Sequence, residues 1–293
     1  MENVQYVEGI REIIKSGGPE PSQYDFLTKA CESFMEQGLE IDEELGLYEE
    51  VEPLLSLDSM IGFSFQKPYG YSGDFELIDR IYQQWRSSKN NIHHKWDNYY
   101  HDLQAARAVR NRKEYLKEQL KKVVLKSSSP KVLNLASGPC TDLFEYFMTR
   151  RKNPIKFDCL DLDTDAIEYA SVVCDNFIDD VEFINTNAFR YKTDKKYDLI
   201  WSAGLFDYFS DKLFIRLTTR MYGLLAEGGE LVVGNFSDDN PSRGLMEVVL
   251  KWFLHHRSEK DLIELAEKAG VPTEKIEVHA EETGVNLFLH MRK

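Results

Sequence analysis

Long apolar runs are missing from this chain. No stretch is long enough to span a bilayer, and Met1-Glu-Asn-Val-Gln-Tyr6 lacks the basic segment and apolar run of a signal peptide. A basic excess is missing as well. Lys and Arg number 36 against 50 Asp and Glu, a net charge of −14. That balance disfavours nonspecific binding to nucleic-acid phosphates or to an anionic membrane. We expect a cytoplasmic protein with no nucleic-acid partner and no membrane insertion. Cysteine is scarce. The four residues Cys31, Cys140, Cys159 and Cys174 form no C-x-x-C pair, so reduced core thiols are expected rather than a disulfide framework or a zinc site. His93-His94 and His255-His256 are adjacent pairs that would point apart on a helix, and no metal is expected. Internal repeats and low-complexity segments are absent.

What is present divides into two textures. Residues 1–126 read as a helical N-terminal domain. Val4, Val7, Ile10 and Ile14 recur at helical spacing up to Gly17-Gly18. Ser22 is placed to cap a second helix that ends near Gly38. Leu77, Ile78, Ile81, Tyr82 and Trp85 form a further apolar stripe, and a long helix is expected from about Asp97 to Leu125. Lys126-Ser-Ser-Ser-Pro130 is a polar linker. Residues 127–293 change period. Apolar strands at 131–135, 156–161, 181–184, 197–201 and 229–235 alternate with helical segments at 141–150, 164–176 and 211–225. Helices near 243–254 and 258–269 precede two closing strands, Lys275–His279 and Val285–Met291, whose short connector suggests a hairpin. The pattern predicts an α/β fold with a doubly wound, mostly parallel seven-stranded sheet.

Within it, Lys131-Val-Leu-Asn-Leu135 reads as a buried strand, Ala136-Ser-Gly138 as a small-residue turn, and Thr141–Phe147 as the helix that follows. About 20 residues on, a second apolar run ends in Asp161. Strand, turn, helix, strand, acid is the layout of a nucleotide-binding unit. The glycine pattern G-x-G-x-x-G is absent, and Pro139 has no N–H to offer a pyrophosphate. The turn therefore argues against NAD and towards S-adenosylmethionine (SAM), which carries no phosphate. A bare strand–turn–helix is equally the layout of an α/β unit that binds nothing.

Further residues bear on that choice. Asn134-Leu-Ala-Ser-Gly-Pro139 stands where D-x-G-x-G-x-G is usual in class I SAM-dependent methyltransferases, and Gly204-Leu-Phe-Asp-Tyr208 follows the fourth strand. Gly234-Asn-Phe236 ends the fifth, and Trp252 comes shortly before His256-Arg257. The helical part contains Pro68-Tyr-Gly-Tyr-Ser-Gly-Asp-Phe75 and Val109-Arg-Asn-Arg112. Over residues 66–292 the chain resembles that class. Within it, the chain is similar to the bacterial family for biosynthesis of the extracellular factor 3-hydroxypalmitic acid methyl ester. The resemblance implies a Rossmann-like SAM-binding domain and methyl transfer to a fatty-acid carboxylate.

It also implies roles. Asn134, Ala136 and Gly138 map onto the motif's acid and first two glycines, and Cys140 onto the third; Asn134 retains only an amide oxygen as acceptor. Asp161 would accept both ribose hydroxyls, with Leu162 beside it; Asp163 is the register alternative or a helix cap. Asn187 and Ala188 sit where the adenine amino group is met, or form a turn. Ser202, Ala203 and Gly204 would pass beneath the sulfonium. Asp207 and Tyr208 are site candidates. Tyr71, in the loop with two glycines, would donate to a substrate carboxylate or line the methyl path. Arg110 and Arg112, on the predicted long helix, would hold the carboxylates of SAM and substrate. His256 is a further catalytic candidate. Each of these arginines could equally belong to a solvated helix face.

A carboxylate acceptor is ionised at neutral pH and needs no strong base; alignment and desolvation remain as the enzyme's task. A hydroxyl acceptor would need one, and His256 or Asp207 would then matter more; an amine or a peptide carboxylate is a further alternative acceptor. A non-catalytic SAM sensor or scaffold is the alternative from another class, motivated by Asn134 and Ala136. The substrate is expected to be a small molecule, and a homodimer is compatible with the sequence.

Overall fold

The computed structural model describes residues 2–39, 46–89, 91–149 and 155–293. Met1 and Arg150, the last residue of one predicted helix, lie outside the described residues. The chain divides into two compact units, 1–107 with 240–253, and 108–239 with 254–293. The polar linker at 126–130 falls inside the second unit.

The first unit is helical: α1 (Glu2–Lys15), α2 (Tyr24–Glu36), α3 (Tyr48–Val51), α4 (Met60–Gln66), α5 (Phe75–Tyr82) and α6 (Asn91–Asp102). Leu27, Ala30, Cys31 and Phe34 form the buried stripe of α2. Ser22 lies in a 3₁₀ turn and does not cap α2; Gln23 precedes the helix without a side-chain cap. The caps lie elsewhere, Ser59 on α4 and Asp74 on α5. Asp97 joins distant loops, its two oxygens accepting from Met60 N–H and Ser87 N–H at 2.7 Å each. The expected helix at 243–254 is a single π turn, Leu245–Val249. Left-handed Lys251 (φ 50°) stops it, and His255-His256 consequently lie on irregular chain. Gly244 meets the α2 backbone so closely that a Cβ would sit 2.5 Å from the Cys31 carbonyl carbon, which is why glycine stands there. An apolar cavity of about 50 Å³ is lined by Leu27, Cys31, Phe34, Trp96 and Leu245 among others.

The predicted helix from Asp97 to Leu125 is two. A break at Leu103 separates α6 from α7 (Gln104–Lys126); the Leu103 carbonyl accepts from Arg107 N–H and starts the new helix. From Ala108 onward α7 belongs to the second unit.

That unit is a seven-stranded sheet of β1 (Lys131–Leu135), β2 (Lys156–Asp161), β3 (Val181–Asn185), β4 (Tyr197–Ser202), β5 (Leu225–Phe236), β6 (Ile276–Ala280) and β7 (Asn286–Arg292). The order is β3-β2-β1-β4-β5-β7-β6. Among the described residues β7 is the strand that runs antiparallel to the other six, pairing so with β5 and β6, as the predicted closing hairpin requires. Alternation along each strand supplies both faces. Leu133, Leu135, Ile200 and Leu231 pack with α10 (Asp211–Gly223) and α11 (Glu259–Lys268) through Phe214, Leu217 and Leu262. Val132, Phe157, Cys159 and Trp201 pack on the other side with α7, α8 (Thr141–Met148) and α9 (Thr164–Val173). Chain order reverses between β1 and β4, and ligands of open α/β sheets bind beyond the strand ends at such a point. Among the described residues no helix is long and apolar enough to cross a membrane.

Candidate cofactor site at the switch point

The turn after β1 has an unusual backbone. Ala136 (φ 51°), Gly138 (φ 56°) and Cys140 (φ 54°) are all left-handed. These are the positions where the related motif has three glycines, and the conformation explains why: only glycine enters that region freely. Ala136 and Cys140 hold it at a cost. The intervening residues are tied down. Ser137 N–H donates to the Leu160 carbonyl at 3.2 Å, Gly138 N–H donates to Asp161 Oδ2 at 2.9 Å, and the Cys140 thiol donates to the Ser137 carbonyl at 3.7 Å. Gly138 faces open space, with nothing within 4 Å of where a Cβ would stand.

Asp161 ends β2. Its Oδ1 accepts from Asp163 N–H at 3.0 Å. Burial raises its pKa against the backbone N–H groups of Asp163, Gly138 and Leu162. Asp163 caps α9 through Asp165 N–H. Of the two acids, Asp161 is therefore the one directed at the turn. Leu162 beside it is 64% exposed. The loop after β3 is fastened to the same place, because Thr186 N–H donates to the Asp161 carbonyl at 2.9 Å. Asn187 forms a turn there, its Oδ1 accepting from Phe189 N–H, and Ala188 is buried.

Beyond β4, Ser202 is fully buried and donates to the Leu135 carbonyl at 3.3 Å. Arg112 reaches across from α7. Its Nη1 donates to the Ala203 carbonyl at 3.4 Å and would stand 3.0 Å from a Cβ on Gly204. The guanidinium charge acts on two buried carboxylates, Asp142 on α8 and Asp207 after β4. Burial pushes each up to about 6, with Arg112 opposing. Arg110 is half-buried and, two residues away, leaves α7 about 200° around the helix, so the two arginines do not share a face.

Asp207 is a clamp. Its Oδ1 accepts from Phe236 N–H at 2.6 Å, and its carbonyl from His255 N–H at 2.7 Å. Arg257 completes the arrangement. It donates to Asn235 Oδ1 at 2.8 Å and to Asp211 at 3.0 Å, and its own N–H donates to the Phe236 carbonyl. The Gly234-Asn-Phe236 and His256-Arg257 stretches thus stitch the end of β5 to the segment that follows Leu254. The half-buried His256 ring lies 6.2 Å from Phe236. Tyr208 is 39% exposed. Tyr71 belongs to the first unit, where it is 39% exposed between left-handed Gly70 and Gly73. Asn134 is buried in mid-sheet, flanked by Cys159 and Trp201. Asp142 and Ser137 went unassigned in the sequence, for neither departs from ordinary helix or turn chemistry until the fold buries it.

Strand order, reversed β7 and the helix layers make this the class I methyltransferase fold. A possible exported protein of Bordetella parapertussis superposes over 99% of this chain and 96% of its own at a TM-score of 0.70 and 16% identity. A candidate O-methyltransferase of Nostoc punctiforme matches 100% and 96% at 0.54 and 14%. The magnesium protoporphyrin IX methyltransferase of Synechocystis, with bound SAM, matches 73% and 90% at 0.50 and 10%. In sequence, 111 residues are 30% identical to malonyl-[acyl-carrier protein] O-methyltransferase 1 of Ilyobacter polytropus, 38% of this chain and 40% of that protein. No family model matches.

Proposed function

We propose that this chain is a SAM-dependent methyltransferase that acts on an oxygen, and that its acceptor is the carboxylate of a small molecule, a 3-hydroxy fatty acid being the first candidate. The observation that carries the proposal is the turn after β1, with its three left-handed residues and Asp161 held against Gly138. The local chemistry fits SAM. A carboxylate has about four acceptor positions, and the Asp161 carboxylate, held by backbone N–H groups at the strand end, is proposed to accept from the ribose. Open space over Gly138 admits a ligand close to the backbone, and the absence of a side chain at Gly204 lets the Arg112 guanidinium lie against the chain there.

When bound, SAM supplies a methyl group activated by its sulfonium charge. Arg112 offers a guanidinium to a carboxylate. Ser202 and Asp207 hold the ends of β4 and β5 in place. No strong base is required of the protein, because a carboxylic acid is ionised at neutral pH, and Asp207 is engaged as a backbone clamp. Tyr208, Arg110 and His256 are proposed as acceptor-side residues. Similarity to an O-methyltransferase named for malonyl-[acyl-carrier protein] supports an oxygen acceptor. The fatty-acid choice rests on the motif resemblance.

The test is S-adenosylhomocysteine release with a panel of free and 3-hydroxy fatty acids beside hydroxyl and amine acceptors. Turnover confined to acids supports carboxyl methylation. Turnover confined to alcohols or amines overturns that part, and SAM binding without turnover on any acceptor overturns the assignment as an enzyme in favour of a SAM-binding sensor.

A further inference from the structure

Helix α7 is fastened to the closing hairpin at two points. Asn111 Nδ2 donates to Glu281 Oε2 at 2.6 Å. The Tyr115 hydroxyl meets His290 Nε2 at 2.7 Å, and His290 Nδ1 lies 3.0 Å from Glu230 Oε1. A carboxylate only accepts, so in the neutral ring Nδ1 carries the proton and Nε2 accepts from Tyr115. Both holding groups are themselves anchored. Glu281 is buried and also accepts from the backbone N–H groups of Thr283, Val285 and Asn286. His290 is buried on β7, and the Tyr115 ring stacks on Phe288 of the same strand, with centroids 3.9 Å and planes 10° apart. Asn111 and Tyr115 are four residues apart and share one face of α7. Arg112 leaves the helix about 100° from Asn111, on the side that reaches Ala203 and Gly204. Hydrogen bonds are directional, and fully satisfied buried ones specify a single arrangement. Two on one face therefore fix the rotation of α7 and, with it, where Arg112 emerges.

We infer that Asn111 and Tyr115 are positioning residues: the β6–β7 hairpin grips them and so aims the Arg112 guanidinium at the end of β4. This rests on the SAM reading above, with Arg112 as the group that takes the cofactor's carboxylate. The hairpin then does more than close the sheet. It sets the charge that α7 presents to the ligand, although neither anchor touches the ligand itself.

The test is a double-mutant cycle read by calorimetric titration of the full chain with two adenosyl thioethers. S-adenosylhomocysteine carries the carboxylate and 5′-methylthioadenosine lacks it. Asn111→Ala leaves Glu281 its bonds within the hairpin, and Tyr115→Phe keeps the ring stack. Each is expected to weaken S-adenosylhomocysteine about threefold, and the pair about tenfold. Affinity for 5′-methylthioadenosine should stay at the wild-type value, which also reports that the variants are folded. Arg112→Lys keeps the charge, loses the fork, and should itself cost about tenfold. In that background the pair should add less than about twofold, because its effect passes through the guanidinium. An undiminished tenfold loss there overturns the inference, as does an equal loss for both ligands, which marks a purely structural role, or no loss for either. Wild-type affinity of Arg112→Lys for S-adenosylhomocysteine overturns it at its premise. If wild type binds neither ligand, the SAM reading fails first and takes this inference with it; if wild type binds both, only the roles of Arg112 and its two anchors are at stake.

Discussion

Asp161 Oδ2 accepts a hydrogen bond from Gly138 N–H at 2.9 Å, so the acid that ends β2 is fixed to the turn that follows β1. The two elements sit side by side in the sheet, Leu135 paired with Leu160, and the contact aims the carboxylate across the strand ends. Asp161→Ala should cost about 100-fold in SAM affinity, two hydrogen bonds to a charged group being lost. Asp163→Ala should leave affinity within about twofold and cost about 1 kcal/mol of stability as a lost cap. Calorimetric titration of both variants decides; the reverse ranking would mean that the ribose acid is Asp163.

Ala136 is left-handed at φ 51°, a conformation that costs an L residue roughly 1 kcal/mol. Ala136→Gly should stabilise by up to that amount, partly offset by glycine's greater freedom when unfolded. The thermal midpoint should rise by about 2 °C. Ala136→Val should lower it, because a β-branched side chain is least tolerated there. A lower midpoint for the glycine variant would mean that the turn is not held in this form in solution.

Arg112 opposes the effect of burial on Asp142 and Asp207. Arg112→Met should destabilise by about 3 kcal/mol at neutral pH, the scale for leaving buried charge uncompensated. Both carboxyls can take up protons, so the loss should be smaller at pH 5 than at pH 7.5. Urea unfolding at the two values checks it; an equal loss at both would show that the guanidinium does not compensate these acids.

The pH dependence of the parent protein follows from the same groups. Asp142 and Asp207 are raised from 3.8 to about 6. Between those values the folded state binds more protons than the unfolded one, so their contribution to stability is full below about 3.8 and is lost as pH rises through 6. Glu230 runs the other way. Burial works to raise it, but the hydrogen bond and charge of His290, with the Arg292 charge, hold it down at about 2. Its contribution is present above 4.5 and lost as pH falls towards 2. Asp142→Asn should flatten the slope between pH 4 and 6, and Glu230→Gln the slope below 4.5. Denaturant titrations across pH measure both, and an unchanged slope in either variant contradicts the corresponding assignment.

Much of the sheet was legible because buried parallel strands are short apolar runs between turn residues. β1 and β2 have their expected limits, and β6 and β7 begin one residue later than read. β5 is the exception. It begins at Leu225, yet Glu227-Gly228-Gly229 interrupts the apolar pattern, with Gly228 at φ 75° and the register shifting opposite Tyr197 and Leu199. The break at Leu103 carries no Gly or Pro and left no mark. The stop at Lys251 is a left-handed lysine, a residue type that does not announce such a backbone. At the site, Asp161 and Gly204 were visible as motif positions. Asp142 and the clamp role of Asp207 were not, because burial exists only once the strands are side by side.

The central claim is that the ends of β1 and β2 hold SAM, and calorimetric titration of the purified chain with SAM tests it most directly. We predict saturable one-site binding in the wild type and about 100-fold weaker binding in Asp161→Ala. No heat of binding in wild type, at protein concentrations where Asp161→Ala and wild type are both folded, would contradict it.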